Sequence, residues 1–222
     1  MNSGDYPHEI ISVKINDISV NLASVVNPDS LFDQLLKKNS GDPGVIDEQI
    51  PYWAELWPSA IALSEYIVEH KDLFVGNSVL EIGCGLGLPG IVAGMQGAKV
   101  TLTDYLQGAI EFAAFNWQLN LNSVPDVSIL DWRNPPKNYQ PDILLASDVA
   151  YESRSFEPLA KALGQLVKPG GIIIISEPNR KFAKSFFDDF SNLGYEVNVE
   201  DKKVIKNNIA YNITIYQLRN LK

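Results

Sequence analysis

Apolar and polar positions change rhythm twice along this chain. From Ile10 to Val26 they partly alternate, in a stretch rich in Ile, Val and Ser with Asn16-Asp17 at its centre. That pattern predicts a β-hairpin of strands Ile10–Ile15 and Ile18–Val25. Asn27-Pro28-Asp29-Ser30 breaks it, and a helix starting at Pro28 or Asp29 gathers Leu31, Phe32, Leu35 and Leu36 on one face. Asn39 to Asp47, with Gly41, Pro43 and Gly44, reads as a loop. A helix over Ser59–His70 follows, led by Pro58 and carrying Ile61, Leu63, Ile67 and Val68. From Ser78 the rhythm becomes short, unbroken apolar runs separated by helical segments. Strands are expected at Ser78–Ile82, Lys99–Thr103, Val127–Leu130, Ile143–Ser147 and Gly171–Ser176. Helices are expected at Leu88–Met95, Leu106–Asn120, Phe156–Leu166 and Arg180–Asn192. Alternating strands and helices imply a parallel sheet covered on both faces. The alternation then stops: Tyr195–Glu200 and Ile209–Leu218 are consecutive strand-like segments around Lys206-Asn207-Asn208, which predicts a closing antiparallel hairpin.

The predicted fold is therefore α/β, a doubly wound, Rossmann-like, mostly parallel sheet with a C-terminal antiparallel hairpin and an N-terminal β-hairpin extension. One domain is expected over residues 1–222, with 1–50 as the hairpin-and-helix extension and 51–222 as the core. Composition narrows the partners. A 222-residue chain with 45% hydrophobic content can bury a substantial core. No apolar run approaches the roughly 20 residues of a membrane span, and Met1 to Glu9 shows no basic start followed by an apolar block. The net charge of −9 argues against binding a phosphate backbone. One cysteine, Cys84, and two histidines far apart exclude a disulfide framework and argue against a metal site. These features predict a cytoplasmic protein with no nucleic-acid and no membrane partner.

The chemistry gathers around Ser78 to Gly90, where an apolar run ends in Glu81 and the glycines Gly83, Gly85, Gly87 and Gly90. Glycine serves where backbone turns with positive φ or where a ligand approaches the main chain. The helix start beyond it offers unpaired N–H groups. In a doubly wound sheet, ligands bind beyond the C-terminal strand ends. Glu81, Asp104, Asp131 and Asp148 all stand at such ends.

Gly85-Leu86-Gly87-Leu88-Pro89-Gly90 satisfies the dinucleotide pattern G-x-G-x-x-G by its letters. Three features oppose that reading. Glu81 places negative charge where a pyrophosphate would lie, the glycines begin earlier at Gly83, and the closing hairpin does not suit a second mononucleotide-binding half. A cationic ligand without phosphate fits better, and S-adenosylmethionine has a sulfonium, an amino-acid end, a ribose and an adenine. Glu81 and the glycine backbone would face its methionine end. Asp104 would accept from the ribose hydroxyls, and Asp131 or Trp132 would flank the adenine.

The residues now carry a resemblance. Trp57-Pro58-Ser59-Ala60-Ile61-Ala62-Leu63, the Leu80–Gly87 loop, Leu102-Thr103-Asp104, Leu130-Asp131-Trp132 and Ser147-Asp148-Val149-Ala150-Tyr151 follow one another in the order and spacing of a class I, seven-stranded S-adenosylmethionine-dependent methyltransferase. Within that class the chain resembles the methyltransferase-like 21 and electron-transfer-flavoprotein β-subunit protein-lysine methyltransferases. The resemblance implies that Trp57, Gly83, Gly85, Asp104, Trp132 and Ser147 line the cofactor. Cys84 and Gly87 inside the loop and Tyr105 beside Asp104 complete the expected cofactor set. Ser147 stands where the family often has alanine or glycine. Glu177-Pro178-Asn179-Arg180 stands where the flavoprotein-methylating branch usually reads Asp-Pro-Gly-Arg.

Methyl transfer asks the protein to position and desolvate an acceptor lone pair. For lysine, with an ordinary pKa of about 10.4, a proton must leave first. Asp148 is expected to orient the amine, Tyr151 to wall its channel, and Tyr52 and Trp53 to extend that wall as substrate-binding residues. Bland roles stand beside these. Asp148 would cap the following turn, Tyr151 would pack, Trp53 and Trp57 would staple the N-terminal region to the core, and Glu81 would only brace its loop. Cys84 reads as buried filler, and Arg133 and Arg180 as solvated charges, with Arg180 able to bind a substrate carboxylate. The expected partner is a lysine-bearing protein. The alternatives are a small amine or nicotinamide-like base, whose ring Tyr52-Trp53 would sandwich, and a non-catalytic interaction module.

Overall fold

A computed structural model describes residues 6–46 and 49–220. The readings on Met1–Asp5, at the start of the Met1–Glu9 segment, and on Asp47 lie outside the described residues. The chain opens with a hairpin of β1 (His8–Ile15) and β2 (Ile18–Val25), paired antiparallel from His8↔Val25 to Ile15↔Ile18. Helix α1 (Pro28–Leu36) follows, and the predicted loop contains a short helix, α2 (Pro43–Ile46). Next comes α3 (Pro58–Glu69). The remaining elements are β3 (Ser78–Ile82), α4 (Leu88–Met95), β4 (Lys99–Asp104), α5 (Gln107–Asn120), β5 (Asp126–Ile129), β6 (Ile143–Ser147), α6 (Phe156–Leu166), β7 (Ile172–Glu177), α7 (Lys184–Asn192), β8 (Tyr195–Lys206) and β9 (Ile209–Asn220).

The main sheet has seven strands in the order β5-β4-β3-β6-β7-β9-β8. The five strands β5 to β7 in that row run parallel, and β9 inserts antiparallel between β7 and β8. Alternation along each central strand divides two cores. Val79, Ile143, Leu145, Ile172 and Ile174 pack with α3, α4 and α5, while Leu80, Ile82, Leu144, Ala146, Ile173 and Ile175 pack with α6 and α7. Strands wetted on neither face are apolar at most positions, which is why they read as near-continuous runs, with Glu81, Thr103 and Ser176 as buried exceptions. Strand order reverses at β3, between β4 and β6, so the ends of these strands open a crevice.

The N-terminal hairpin is held to this sheet by two asparagines one helical turn apart on α5. Asn116 Oδ1 accepts from the Ala23 N–H at 2.6 Å, and Asn120 Oδ1 accepts from the Asn21 N–H at 2.8 Å. Their amides return the bond to the Ala23 and Asn21 carbonyls at 3.3 and 2.7 Å. A helix turn advances about 5.4 Å, close to two strand residues, so residues i and i+4 of the helix meet residues i and i−2 of β2. Asn116 also donates to the Leu86 carbonyl at 2.9 Å, which ties the hairpin to the glycine loop.

Two boundaries differ from the expectation for a physical reason. Helix α7 starts at Lys184 rather than Arg180, because Glu177 Oε1 accepts the Arg180 N–H at 3.1 Å and closes Glu177–Arg180 into a turn. Strand β8 runs to Lys206 rather than Glu200, because every residue from Tyr195 to Lys206 pairs with β9 despite the polar Glu200–Lys203 stretch.

Candidate functional site

Strand β3 ends at Ile82, and the loop beyond it turns through Gly83, Gly85 and Gly87 at φ of 61°, 52° and 82°. These left-handed values fall where a Cβ is strained, so the alternating glycines are required by the path itself. The path is pinned by the Cys84 N–H donating to the Thr103 carbonyl at 2.9 Å and the Gly87 N–H to the Cys84 carbonyl at 2.8 Å.

Asp104, at the end of β4, secures two loops at once. Its Oδ2 accepts the Gly85 N–H and its Oδ1 the Leu106 N–H, both at 3.0 Å. Only 8% of the residue is exposed, and burial pushes its carboxyl up to about 6. One lone pair on each oxygen remains for a ligand.

These strand ends surround a cavity of about 410 Å³. Of the residues singled out by sequence, Trp57, Gly83, Cys84, Gly85, Asp104, Tyr105, Asp131, Trp132, Ser147, Asp148, Tyr151, Tyr52 and Trp53 line it. Glu81 and Gly87 are outside its lining. Gly87 sits against Ala113 of α5, at the cap of α4. Glu81 is wholly buried on the face of β3 that α4 covers, and its Oε2 accepts the Gly90 N–H at 2.9 Å. Its side chain therefore braces the loop from beneath, where the sequence reading had it facing a ligand. Among the described residues its Oε1 has no hydrogen-bond partner. Burial pushes this carboxyl up to about 8, leaving it protonated near neutral pH. The carboxyl favours folding fully below its unfolded value of 4.5, and that contribution is lost as pH rises towards about 8. Glu81→Gln copies the neutral form at every pH, so its thermal midpoint is expected at or above that of the wild type near pH 7, with the gap in the variant's favour growing as pH rises from 4.5 towards about 8. A large loss at neutral pH in a melting series would show that the ionised form is needed.

The cavity mouth is aromatic. The Tyr52 ring meets Trp57 edge-on at 6.2 Å and Tyr151 at 5.5 Å, and the Trp57 indole N–H donates to the Tyr52 carbonyl at 2.8 Å. Tyr151 is 39% exposed, and burial, with Glu152 beside it, pushes its phenol up to about 12. Trp53 belongs to the opposite wall. It packs on Tyr6 at 5.5 Å and Phe112 at 5.2 Å, and a Cβ on Gly108 would approach its ring to 2.6 Å. It thus staples the N-terminal segment to α5 as well as touching the cavity. Cys84 is 5% exposed, and burial pushes its thiol well up, with Asp104 and Glu81 adding to the effect. It is filler rather than a nucleophile.

Asp148 follows β6 in the left-handed region, at φ 58°. Its Oδ2 accepts from the Ser59 hydroxyl at 3.2 Å, and its Oδ1 lies 2.5 Å from Arg180 Nη2. It caps no helix; Glu152 flanks the next turn. The two arginines are not simply solvated. Arg133 pairs with Asp131 at 2.8 Å and lies 4.7 Å over the Tyr105 ring, and Arg180 is drawn inward between Asp148 and Glu177. Ser59 and Asn116 were missed as site residues in the sequence, and Arg180 was read as a solvated charge able to bind a substrate carboxylate rather than as a partner of Asp148, because their partners are 89, 30 and 32 residues away and no local period marks them. The cavity lining carries Glu55, Asp104, Asp131, Asp148 and Glu152 against Arg133 and Arg154. Such a wall suits a cationic ligand and opposes a pyrophosphate. No cluster of His, Cys, Asp and Glu able to hold a metal occurs among the described residues, and no described helix is long and apolar enough to cross a membrane.

Fold and site together define a class. The chain superposes on N-methyltransferase NodS of Bradyrhizobium japonicum, solved with S-adenosyl-L-homocysteine, with a TM-score of 0.60 and 13% identity, covering 88% of this chain and all of that one. That likeness is one of fold. Residues 50–193 match the model of the family described as lysine methyltransferase, and the chain belongs to that family. It is 37% identical over 133 residues to histone-arginine methyltransferase METTL23 of Rattus norvegicus, covering 53% of this chain and 58% of that protein. It is 33% identical over 135 residues to protein N-lysine methyltransferase METTL21A of Mus musculus, covering 58% and 62%. In both cases the match spans about three-fifths of the relative.

Proposed function

We propose that this protein is an S-adenosylmethionine-dependent N-methyltransferase whose acceptor is a cationic side chain of another protein, with lysine the first choice. The observation that carries the reading is the juxtaposition of an aromatic mouth, Tyr52, Trp57 and Tyr151, with Asp148 in an acidic cavity lining beside the glycine loop. S-adenosylmethionine supplies a methyl group already activated on a sulfonium. Asp104 would offer two oriented acceptor oxygens to its ribose diol, Trp132 and Asp131 would flank its adenine, and the backbone of Gly83 and Gly85 would let its amino-acid end approach closely. The aromatic mouth strips water from the entering side chain and favours its neutral form, while Asp148 accepts from and aims the nitrogen. With the ammonium proton released to solvent, the freed lone pair would form the new N–C bond as the sulfonium C–S bond breaks, leaving S-adenosylhomocysteine. The arginine named for one relative's acceptor would be held by the same acid and rings, which makes it the second choice.

Asp148→Ala is expected to leave S-adenosylhomocysteine affinity unchanged while lowering methyl transfer about 100-fold or more, the size of effect a misplaced reactant produces. Titration calorimetry reads the first and tritiated cofactor with a cell lysate the second. Label in a protein band supports a protein acceptor, whereas label confined to small molecules would favour a small amine. A variant that transfers normally would remove Asp148 from its role.

A further inference from the structure

Arg180 lies outside the cavity lining, yet the chain spends much local structure on placing it. We propose that Arg180 is a positioning residue, whose guanidinium fixes the Asp148 carboxylate that aims the acceptor nitrogen. The proposal rests on the methyl-transfer reading above and goes beyond it by naming what holds Asp148.

The placement begins one strand away from Asp148. Beyond β7, Asn179 takes a left-handed φ of 61°. Its amide is locked on both sides: Oδ1 accepts from the Thr214 hydroxyl at 2.7 Å and Nδ2 donates to the Asn212 carbonyl at 3.0 Å. Glu177, only 2% exposed, accepts the Arg180 N–H at 3.1 Å and the guanidinium Nη1 on both oxygens at 3.2 Å. A buried carboxylate so used fixes the base of the arginine and leaves Nη2 pointing across to β6, where it meets Asp148 Oδ1 at 2.5 Å.

Asp148 is prepared from its own side. Its N–H donates to the Ser176 carbonyl at 3.0 Å, and its left-handed φ, which is uncommon in residues with a Cβ, is kept although a strand end could have had a relaxed one. Ser59, from the first turn of α3, donates to Oδ2. Oδ2 thus accepts from the Ser59 hydroxyl, whereas Oδ1, buried and without a hydrogen-bond partner among the described residues, faces the Arg180 guanidinium as an ion pair. A hydroxyl donor on one element and a guanidinium charge on another oppose rotation of the carboxylate plane and set the direction left for a ligand. A guanidinium suits this task because its planar, rigid fork bonds Glu177 through Nη1 while its charge at Nη2 faces Asp148.

The rival account is an ion pair that merely ties the end of β6 to the end of β7. The two differ in what loss of Arg180 does once Asp148 is already gone. Tritiated S-adenosylmethionine and the lysate protein labelled by the wild type provide the assay, with S-adenosylhomocysteine titration and thermal melting measured alongside. Arg180→Ala is expected to keep cofactor affinity within about twofold and to lose about 100-fold in transfer rate. Arg180→Lys should recover part of that loss, since an ammonium can reach one partner but not both; added methylguanidinium should partly restore Arg180→Ala. The double variant Asp148→Ala with Arg180→Ala should be no slower than Asp148→Ala alone, because a residue acting through another adds nothing in its absence. Unchanged transfer in Arg180→Ala overturns the proposal, as does a further loss in the double variant. If Arg180→Ala does not fold, Arg180→Lys in the two backgrounds decides by the same comparison. A wild type that binds S-adenosylhomocysteine but labels no acceptor overturns the methyl-transfer reading itself, and this proposal with it.

Discussion

Asp104→Ala is expected to weaken S-adenosylhomocysteine binding at least about 100-fold, close to 2.7 kcal/mol at 1.36 kcal/mol per decade. Asp104 holds the Gly85 and Leu106 N–H groups on separate oxygens. Truncation therefore removes the acceptor proposed for the ribose and releases the two loops that border the cavity, leaving both N–H groups without their partner. Asp104→Asn, which keeps one acceptor oxygen, should lie between the two, at about tenfold. The pH dependence has a definite sign. Burial pushes this carboxyl from 3.8 up to about 6, so on lowering the pH through about 6 it gains a proton and loses an acceptor. Wild-type affinity should fall on that acid side, and the affinity of Asp104→Asn should stay flat. Folding responds in the opposite direction, since a raised carboxyl stabilises the native state most below 3.8 and loses that contribution as pH rises through about 6. Calorimetric titrations on both sides of this range separate the two effects. Binding by Asp104→Ala within about threefold of the wild type would sink the assignment.

Gly90→Ala should destabilise the protein by about 3 kcal/mol, at the upper end for overpacking a core. A Cβ at Gly90 would stand 2.2 Å from Leu102 Cδ2, 2.6 Å from Glu81 Oε2 and 3.2 Å from Val100 Cγ1. None of these can yield easily. Leu102 is fully buried on β4, and the Glu81 oxygen is fixed by the Gly90 N–H that the methyl group would crowd. The reason for this glycine is volume at the α4–sheet contact, in contrast to the positive φ that requires Gly83 and Gly85. For a chain of this size the expected loss corresponds to a thermal midpoint about 10 °C lower. A change under about 2 °C would mean that α4 can move away from the sheet at little cost.

These two residues also mark what local pattern can convey. Strands β3 and β6 were bounded correctly from their letters, since both faces are covered and their apolar runs end abruptly. The place of Asp104 in the cavity lining was legible because an acid at a parallel strand end is costly there without a task. Glu81 carried the same signal and a different outcome. Its alternation along β3 puts it on the face under α4, a fact that depends on which face the helix covers. Trp53 and Trp57 were legible as a pair but not as two walls, because their separation comes from the short helical turn over Tyr52–Ala54. The grip of Arg180 on Asp148 needed knowledge that β6 and β7 are neighbours, and the late start of α7 needed the same Glu177 contact. Periodicity reports the environment of one element, whereas these contacts join two.

The pairing of Asn116 and Asn120 with β2 has a consequence for where this protein can be cut. The family match begins at residue 50, so its boundary would discard the hairpin at His8–Val25. Trimming there would leave Asn116, a fully buried amide, holding the Leu86 carbonyl with one hand and nothing of Ala23 with the other. The missing strand would be felt some distance away, as play in the glycine loop that borders the cavity.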